Sequence, residues 1–182
     1  MTYNLSNLNM LVVDDNKHMR DMVSGVLRAL GVKTIVEAAN GQDAFNELKT
    51  FSADIIICDW HMEPMDGMAF LHMVRTHADS SNPYIPFIML TGHTELNRVL
   101  TARDTGVHEF LTKPISVKKL YDRIRTVIER PRAFIKTGAY FGPDRRRRQD
   151  PNYNGEERRA SDILDMEAMG LTSEQVDELL MA

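Results

Sequence analysis

The sequence predicts an α/β fold in which helices cover both faces of a five-stranded parallel sheet, the doubly wound arrangement. Short runs rich in branched apolar residues are typical of buried parallel strands. They predict strands near 8–13, 33–37, 54–58, 86–90 and 108–111. Apolar residues at helical spacing predict helices over about 17–30, 41–50, 67–77, 95–104 and 116–129. Because strand and helix alternate, right-handed crossovers would join the strands into one open sheet.

The first and last of these helices carry the clearest helical pattern. In the first, one face is formed by Met19, Met22, Val23, Val26, Leu27 and Leu30. In the last, the corresponding stripe is Leu120, Ile124, Val127 and Ile128. A one-sided apolar stripe is what a helix uses to pack on a core, so both helices are expected to lie against the sheet.

Every predicted strand except the second is closely followed by a polar residue that can act on phosphate or metal. These residues are Asp14 and Asp15, Asp59, Thr91 and Lys113. In an open α/β sheet, ligands bind at the edge where the carboxyl ends of the strands meet. Three carboxylates at that edge repel one another unless a cation lies among them, and ligands made only of oxygen suit Mg²⁺. The pattern predicts phosphoryl transfer to an aspartate.

Five segments of the chain carry a family resemblance. They are Leu11-Val12-Val13-Asp14-Asp15-Asn16, Ile57-Cys58-Asp59-Trp60-His61-Met62, Met65-Asp66-Gly67, Met89-Leu90-Thr91-Gly92 and Phe110-Leu111-Thr112-Lys113-Pro114. Over about 1–130, the chain resembles the CheY-like receiver domain of two-component response regulators. Asp15, Asp59, Thr91 and Lys113 are 44, 32 and 22 residues apart, and each interval has room for one helix and its loops. The resemblance implies a flavodoxin-like sheet with the strand order 2-1-3-4-5.

The resemblance also implies a role for each residue at the sheet edge. Asp59 would be the phosphorylated nucleophile. Asp14, Asp15, Asp59 and the main-chain carbonyl of His61 would hold Mg²⁺ or Mn²⁺, which offsets charge on the transferred phosphoryl oxygens. His61 stands where the family commonly has Asn, which puts the hydrolysis rate of the aspartyl phosphate in doubt. Lys113 would contact a phosphoryl oxygen.

Thr91 and Phe110 match the threonine and aromatic residue of the family's switch. Thr91 would bind a phosphoryl oxygen, and Phe110 would pack inward in response. Two plainer interpretations stay open: Thr91 could cap a helix that begins at Glu95, and Phe110 could be permanent core. The resemblance also makes a cis bond before Pro114 plausible.

The chain divides by charge into a receiver domain over 1–130 and an extension over 131–182. The net charge is −2 over 1–130, +4 over 131–159 and −6 over 160–182. Pro131 cannot continue the preceding helix, and the glycines and prolines that follow predict an irregular basic arm. The acidic end, 160–182, is expected to form one or two short helices that need a partner surface.

The extension contains an imperfect Arg-Arg repeat whose role is open. Its candidate docking residues are Arg145, Arg146, Arg158 and Arg159. The alternatives are a docking arm, a disordered solvated run and a phosphate grip on nucleic acid. Neighbouring acids and the absence of a helix-turn-helix pattern argue against nucleic acid. The docking hypothesis places the extension on the receiver around the predicted helices 95–104 and 116–129, within one chain or across a homodimer.

The expected function is that of a response regulator without an enzymatic or DNA-binding output domain. It would take a phosphoryl group on Asp59 from a histidine kinase or histidine phosphotransfer protein and signal to an unknown downstream protein by contact. Its only expected chemistry is self-phosphorylation and self-dephosphorylation. The opposing hypotheses are a transcriptional regulator with a nucleic-acid-binding tail and a haloacid-dehalogenase-type phosphohydrolase. In such hydrolases a second Asp follows two residues after the nucleophile, whereas here that residue is His61.

Composition agrees with a cytoplasmic protein that makes no membrane contact. The chain has 182 residues, of which 43% are hydrophobic and 26% charged. No apolar stretch approaches the roughly 18 residues of a membrane span, and the first residues lack the pattern of a signal peptide. Cys58, the only cysteine, suits a reducing compartment and is expected to be a small buried hydrophobe. Trp60 is expected at the partly exposed rim of the site.

Overall fold

A computed structural model describes residues 3–92, 106–136 and 140–144. Its strands are β1 Asn9–Val13, β2 Thr34–Ala38, β3 Ile55–Asp59, β4 Phe87–Thr91, β5 Glu109–Thr112, β6 Phe134–Lys136 and β7 Phe141–Pro143. Its helices are α1 Lys17–Ala29, α2 Gly41–Glu47, α3 Gly67–Thr76 and α4 Val117–Glu129. The helix expected over 95–104 and the short helices expected in 160–182 lie outside the described residues.

The main sheet confirms the doubly wound prediction. It contains five parallel strands in the order β2-β1-β3-β4-β5. Alternate residues of β1 enter two different cores: Leu11 and Val13 pack in one, and Met10 and Val12 in the other. Because both faces of the sheet are covered, its central strands are apolar on both sides, as buried parallel strands require.

Each described helix of the receiver begins at a capping residue placed shortly after a strand. The side chains of Asn16, Asn40, Asp66 and Ser116 each accept a hydrogen bond from a main-chain N–H in the first turn of the helix that follows. Such caps satisfy donors that have no partner within the helix.

The extension begins with an antiparallel hairpin, and this corrects the prediction of an irregular arm. Residues 134–136 pair with residues 141–143. The ring of Phe134 lies 5.0 Å from Tyr84, 5.5 Å from His108 and 5.6 Å from Phe141, centroid to centroid. These aromatic contacts supply the apolar cover that a lone two-stranded hairpin lacks in water.

The hairpin packs at the amino end of β4 and β5, which is the opposite end of the sheet from Asp59. An added Cβ at Gly142 would lie 2.6 Å from the Cα of Gly106, just before β5, so the two backbones are in contact. The docking hypothesis had placed the extension beside the predicted helices 95–104 and 116–129. For the two strands, 134–136 and 141–143, the contacts with Tyr84, Gly106 and His108 define a different location. Arg145, Arg146, Arg158 and Arg159 lie outside the described residues.

Two single-residue expectations have different outcomes. Cys58 is fully buried, as expected. Trp60 is only 5% exposed and belongs to the core cluster that contains Phe70 and Phe87, so its assignment to a partly exposed rim is wrong. The main chain of Trp60 is also held in place: its N–H donates to the carbonyl of Leu90, and its carbonyl accepts from the N–H of Gly67. In the ranges that the structure describes, no helix has both the length and the apolarity to cross a membrane.

Candidate functional site

Three carboxylates meet at the carboxyl edge of the main sheet. Val13 pairs with Cys58, so β1 and β3 end side by side. One carboxylate oxygen from each of Asp14, Asp15 and Asp59 lies within 4.8 Å of the others. Asp14 is 1% exposed and Asp59 8% exposed, whereas Asp15 is open to solvent. The convergence expected from the sequence is therefore present.

Lys113 completes the cluster and directly follows β5, the edge strand beyond β4. Its Nζ lies 2.7 Å from Oδ1 of Asp59 and 3.3 Å from Oδ2 of Asp14. The main-chain N–H of Lys113 donates to the carbonyl of Thr91 at 2.8 Å, which extends the pairing of β4 and β5 by one residue. The following bond to Pro114 is cis, as the resemblance suggested. One ammonium thus contacts two of the three carboxylates.

Burial and pairing act in opposite directions on this ion pair. Burial raises the pKa of Asp59 above its ordinary value, although the hydrogen bond and positive charge of Lys113 oppose the rise. Burial would lower the pKa of Lys113, but the hydrogen bond to Asp59 and the charges of Asp59 and Asp14 outweigh it and raise that pKa. The ammonium of Lys113 is therefore stabilised in its charged form beside two acids.

Asp14 is held in one orientation. Its Oδ1 accepts the main-chain N–H of Asn16 at 2.9 Å, and its Oδ2 accepts from Lys113. A buried carboxylate needs such partners because the loss of water is costly. With its two oxygens fixed, Asp14 presents a defined face to Asp59.

Gly67 packs directly against the end of β3 beside the site. In the sequence it was noted only as part of the segment Met65-Asp66-Gly67 and was given no role of its own. Its N–H donates to the carbonyl of Trp60 at 2.9 Å. A Cβ at this position would collide with the main-chain carbonyl of Asp59. Only glycine allows α3 to begin this close to the end of β3. Its place directly after the helix cap Asp66 was the available sequence signal.

Thr91, Phe110 and His61 occupy the positions expected from chain order. Thr91 follows Leu90, the partner of Asp59 across the sheet, and its hydroxyl is buried and donates to the carbonyl of Gly92 at 3.2 Å. Phe110 is 2% exposed and already packs within the core. His61 directly follows Trp60 and is exposed. The switch and the main-chain metal contact stay predictions.

The donor set suits a hard divalent cation. Asp14, Asp15 and Asp59 offer only oxygen, and two of these side chains are buried. Mg²⁺ is usually held by a few carboxylates together with water and phosphate oxygens. A cation at this point would also offset the repulsion among the three acids, which Lys113 offsets only in part.

The fold and the acidic edge define a class of protein, and comparison identifies it. The chain belongs to the response regulator receiver domain family, whose model matches residues 10–125. It is homologous to chemotaxis proteins of the CheY type, and its fold is the receiver fold. Receiver domains act in phosphorelay signalling with histidine kinases or phosphotransfer partners, and they bind Mg²⁺ at an acidic pocket.

Individual relatives cover the same part of the chain. The chemotaxis protein CheY-3 of Vibrio cholerae serotype O1 is 32% identical over 124 residues, which span 68% of this chain and 94% of that protein. CheY of Pseudomonas aeruginosa is 31% identical over 123 residues, spanning 68% and 98%. The solved structure of the chemotaxis response regulator CheY4 of Vibrio cholerae has a TM-score of 0.59 at 29% identity and covers 66% of this chain and 98% of its own.

Proposed function

We propose that this protein accepts a phosphoryl group on Asp59 from a histidine kinase or histidine phosphotransfer protein. The observation that carries the proposal is the ammonium of Lys113, 2.7 Å from Asp59 and 3.3 Å from Asp14, inside a cluster of three carboxylates. A carboxylate can attack phosphorus as a nucleophile, and a neighbouring ammonium can stabilise the negative charge on the phosphoryl group that follows.

The transfer is a displacement at phosphorus. A carboxylate oxygen of Asp59 forms a bond to phosphorus, and the bond from phosphorus to the donor's imidazole nitrogen breaks, leaving its electron pair on that nitrogen. Lys113 then moves from the carboxylate to a phosphoryl oxygen, which its flexible stem allows. Asp14, Asp15, Asp59 and the main-chain carbonyl of His61 would hold Mg²⁺ or Mn²⁺, which would supply positive charge for the phosphoryl oxygens.

Signal output follows through Thr91 and Phe110. The phosphoryl group carries up to about two negative charges, and the Thr91 hydroxyl turns from the carbonyl of Gly92 toward it. Phe110 is the residue expected to respond by packing inward. It belongs to the same buried cluster as Val107. The message passes to a downstream protein by contact, and the protein catalyses no reaction beyond its own phosphorylation and dephosphorylation. It acts in the cytoplasm, with the receiver over 1–130 and a C-terminal extension over 131–182.

The test is phosphate uptake from a small phosphodonor, measured by intact mass. We expect one phosphoryl group per chain in the presence of Mg²⁺ and none after Asp59→Asn. Asp79→Asn is the matched control, because Asp79 is exposed and its carboxylate lies beside His77, 3.9 Å from Nδ1 of that ring. Undiminished uptake by Asp59→Asn, or by the wild type in excess chelator, would overturn the assignment.

A further inference from the structure

We infer that Arg20 is a positioning residue for the acid pair Asp14 and Asp15, and that it acts through their main chain. This inference rests on the proposed function, because the acid pair is there proposed to hold the metal. Nη1 of Arg20 donates to the carbonyl of Asp14 at 2.7 Å and lies 3.3 Å from the carbonyl of Asp15. Two successive carbonyls thus share one donor while both carboxylates reach the point beside Asp59.

The Arg20 side chain is itself anchored on two elements. Its Nε lies 3.7 Å from Oε2 of Glu37 on β2, and the two side chains are only 15% and 30% exposed. The other oxygen of Glu37 accepts the hydroxyl of Ser24 on α1 at 2.7 Å, and Ser24 is fully buried. A guanidinium that is already immobilised gives up little conformational freedom when it makes further hydrogen bonds. The chain of contacts therefore ties the acid pair to α1 and β2.

Arg20 also brings a positive charge close to a cation site. The direction in which Mg²⁺ affinity changes when Arg20 is removed therefore tests the inference. On Coulomb grounds alone, removal of Arg20 would strengthen Mg²⁺ binding. If Arg20 instead holds the Asp14–Asp15 turn, its removal lets both carbonyls seek water, and the carboxylates lose their shared orientation. Positioning therefore predicts weaker binding although a repelling charge has gone.

The experiment is a Mg²⁺ titration of the full chain, followed by the fluorescence of Trp60, the only tryptophan. Loss of a residue that orients metal ligands typically weakens binding about tenfold or more, and we expect a rise of that order in Kd for Arg20→Ala. Arg28→Ala is the matched control: it removes the same charge from an exposed position near the end of α1 and should leave Kd unchanged. Thermal unfolding of each variant separates lost stability from lost affinity.

Arg20→Lys provides a second test that keeps the charge. An ammonium cannot maintain the Nε contact to Glu37 and the contacts to both carbonyls, so we expect a smaller rise in Kd than for alanine. Wild-type or tighter Mg²⁺ binding by Arg20→Ala, or wild-type binding by Arg20→Lys, would overturn the role of Arg20 while the proposed function stands. A wild-type chain that fails to bind Mg²⁺ would overturn both.

Discussion

Lys113 and Thr91 lie at neighbouring strand ends but are expected to affect different steps. Lys113 contacts two acids directly, so Lys113→Ala should reduce both phosphate uptake and the conformational response. Thr91 contacts Gly92, and Thr91→Ala should impair the response at least as much as uptake. Uptake is measured by intact mass, and the response by hydrogen exchange over residues 106–113 with and without phosphodonor. A full response in Thr91→Ala would remove Thr91 from the switch.

Gly67 shows how a missing side chain can matter as much as a charged one. Its added Cβ would meet the Asp59 carbonyl, so either α3 or the end of β3 must shift. Overpacking of this kind costs about 1–3 kcal/mol, and we expect that loss in the urea unfolding of Gly67→Ala. Gly25→Ala is the control: among the described residues, apart from its own helix backbone and chain neighbours, no atom lies within 4 Å of its added Cβ. This variant should therefore gain up to about 1 kcal/mol from helix propensity. Equal stability of Gly67→Ala and wild type would contradict the collision.

His108 couples stability to pH. Its Nδ1 lies 3.2 Å from the N–H of Phe87 and accepts it as a neutral ring. Burial, with the charges of Arg75 and Arg132, lowers the pKa of His108 to about 3. The unfolded pKa is about 6.5, so the unfolded chain binds the proton first, and stability present above that pH is lost as the pH falls.

The expected loss through His108 is about 2 kcal/mol between pH 7 and pH 5. Other acids also titrate in this range, so the measurement is the difference between variants. His108→Gln, whose amide oxygen can still accept from Phe87, should lose less stability on acidification than wild type in urea unfolding. His18→Gln, at an exposed position, should behave as wild type. If His108→Gln retains the wild-type pH dependence, His108 is not its source.

At the scale of elements, the sequence predicted a strand or helix well where its apolar pattern and its length indicated the same kind of element. All five predicted strands of the main sheet are present within one or two residues. Asp59 and Thr91 are the final residues of β3 and β4, so their polar side chains are part of the sheet edge. α2 ends at Glu47, three residues before its expected end, because the N–H groups of Lys49 and Thr50 make tight-turn hydrogen bonds there.

The hairpin of β6 and β7 could not be predicted from its own residues. Each strand has three residues, too few to show the alternation of apolar and polar side chains that indicates a strand. Gly142 and Pro143 normally indicate the end of a strand. The strands exist because the receiver offers Tyr84, His108 and Arg75 as a surface. Arg75 lies under the hairpin with its guanidinium carbon 5.3 Å from the ring centroid of Phe134. Tertiary contacts, and not local preference, determine this element.

The two faces of the hairpin are expected to contribute differently to the free energy of unfolding. Phe134 packs on Tyr84, His108 and Arg75, and Phe134→Ala should lower the free energy of unfolding by about 1–3 kcal/mol. Ile135, the next residue of β6, is 38% exposed, and Ile135→Ala should cost less than about 0.5 kcal/mol. Urea unfolding measures both. Equal effects would mean that the hairpin does not rest on the receiver through Phe134.

At the scale of the whole molecule, the carboxyl edge of the sheet was predictable and the amino edge was not. The site residues stand directly after apolar runs, so topology alone brings them together. Arg75 gave no such signal, since a lone arginine near a helix end is usually solvated. It is 4% exposed because its guanidinium donates to the carbonyls of Pro83, Ile85 and Gly106. These acceptors come from loops whose meeting no local pattern reveals.

Contacts of Arg132 and Phe134 with the receiver extend its stable unit past Pro131. Glu109 is 2% exposed, and Arg132 lies 3.5 Å from one of its carboxylate oxygens. Arg123 approaches the other oxygen at 3.6 Å. A chain that ends at Arg130 loses Arg132 and the whole aromatic cover, whereas a chain that ends at Asp144 keeps both.

We therefore expect residues 1–144 to unfold at a higher temperature than residues 1–130, by roughly 5–10 °C for the loss of about 2–3 kcal/mol. Thermal unfolding by circular dichroism compares the two. Both chains keep the cluster of Asp14, Asp59 and Lys113, which lies at the opposite end of the sheet, so phosphate uptake with Mg²⁺ should occur in both at a temperature where both are folded. Equal melting temperatures would restore the boundary at 130. A loss of uptake confined to the shorter chain would mean that the hairpin supports the site as well as the fold.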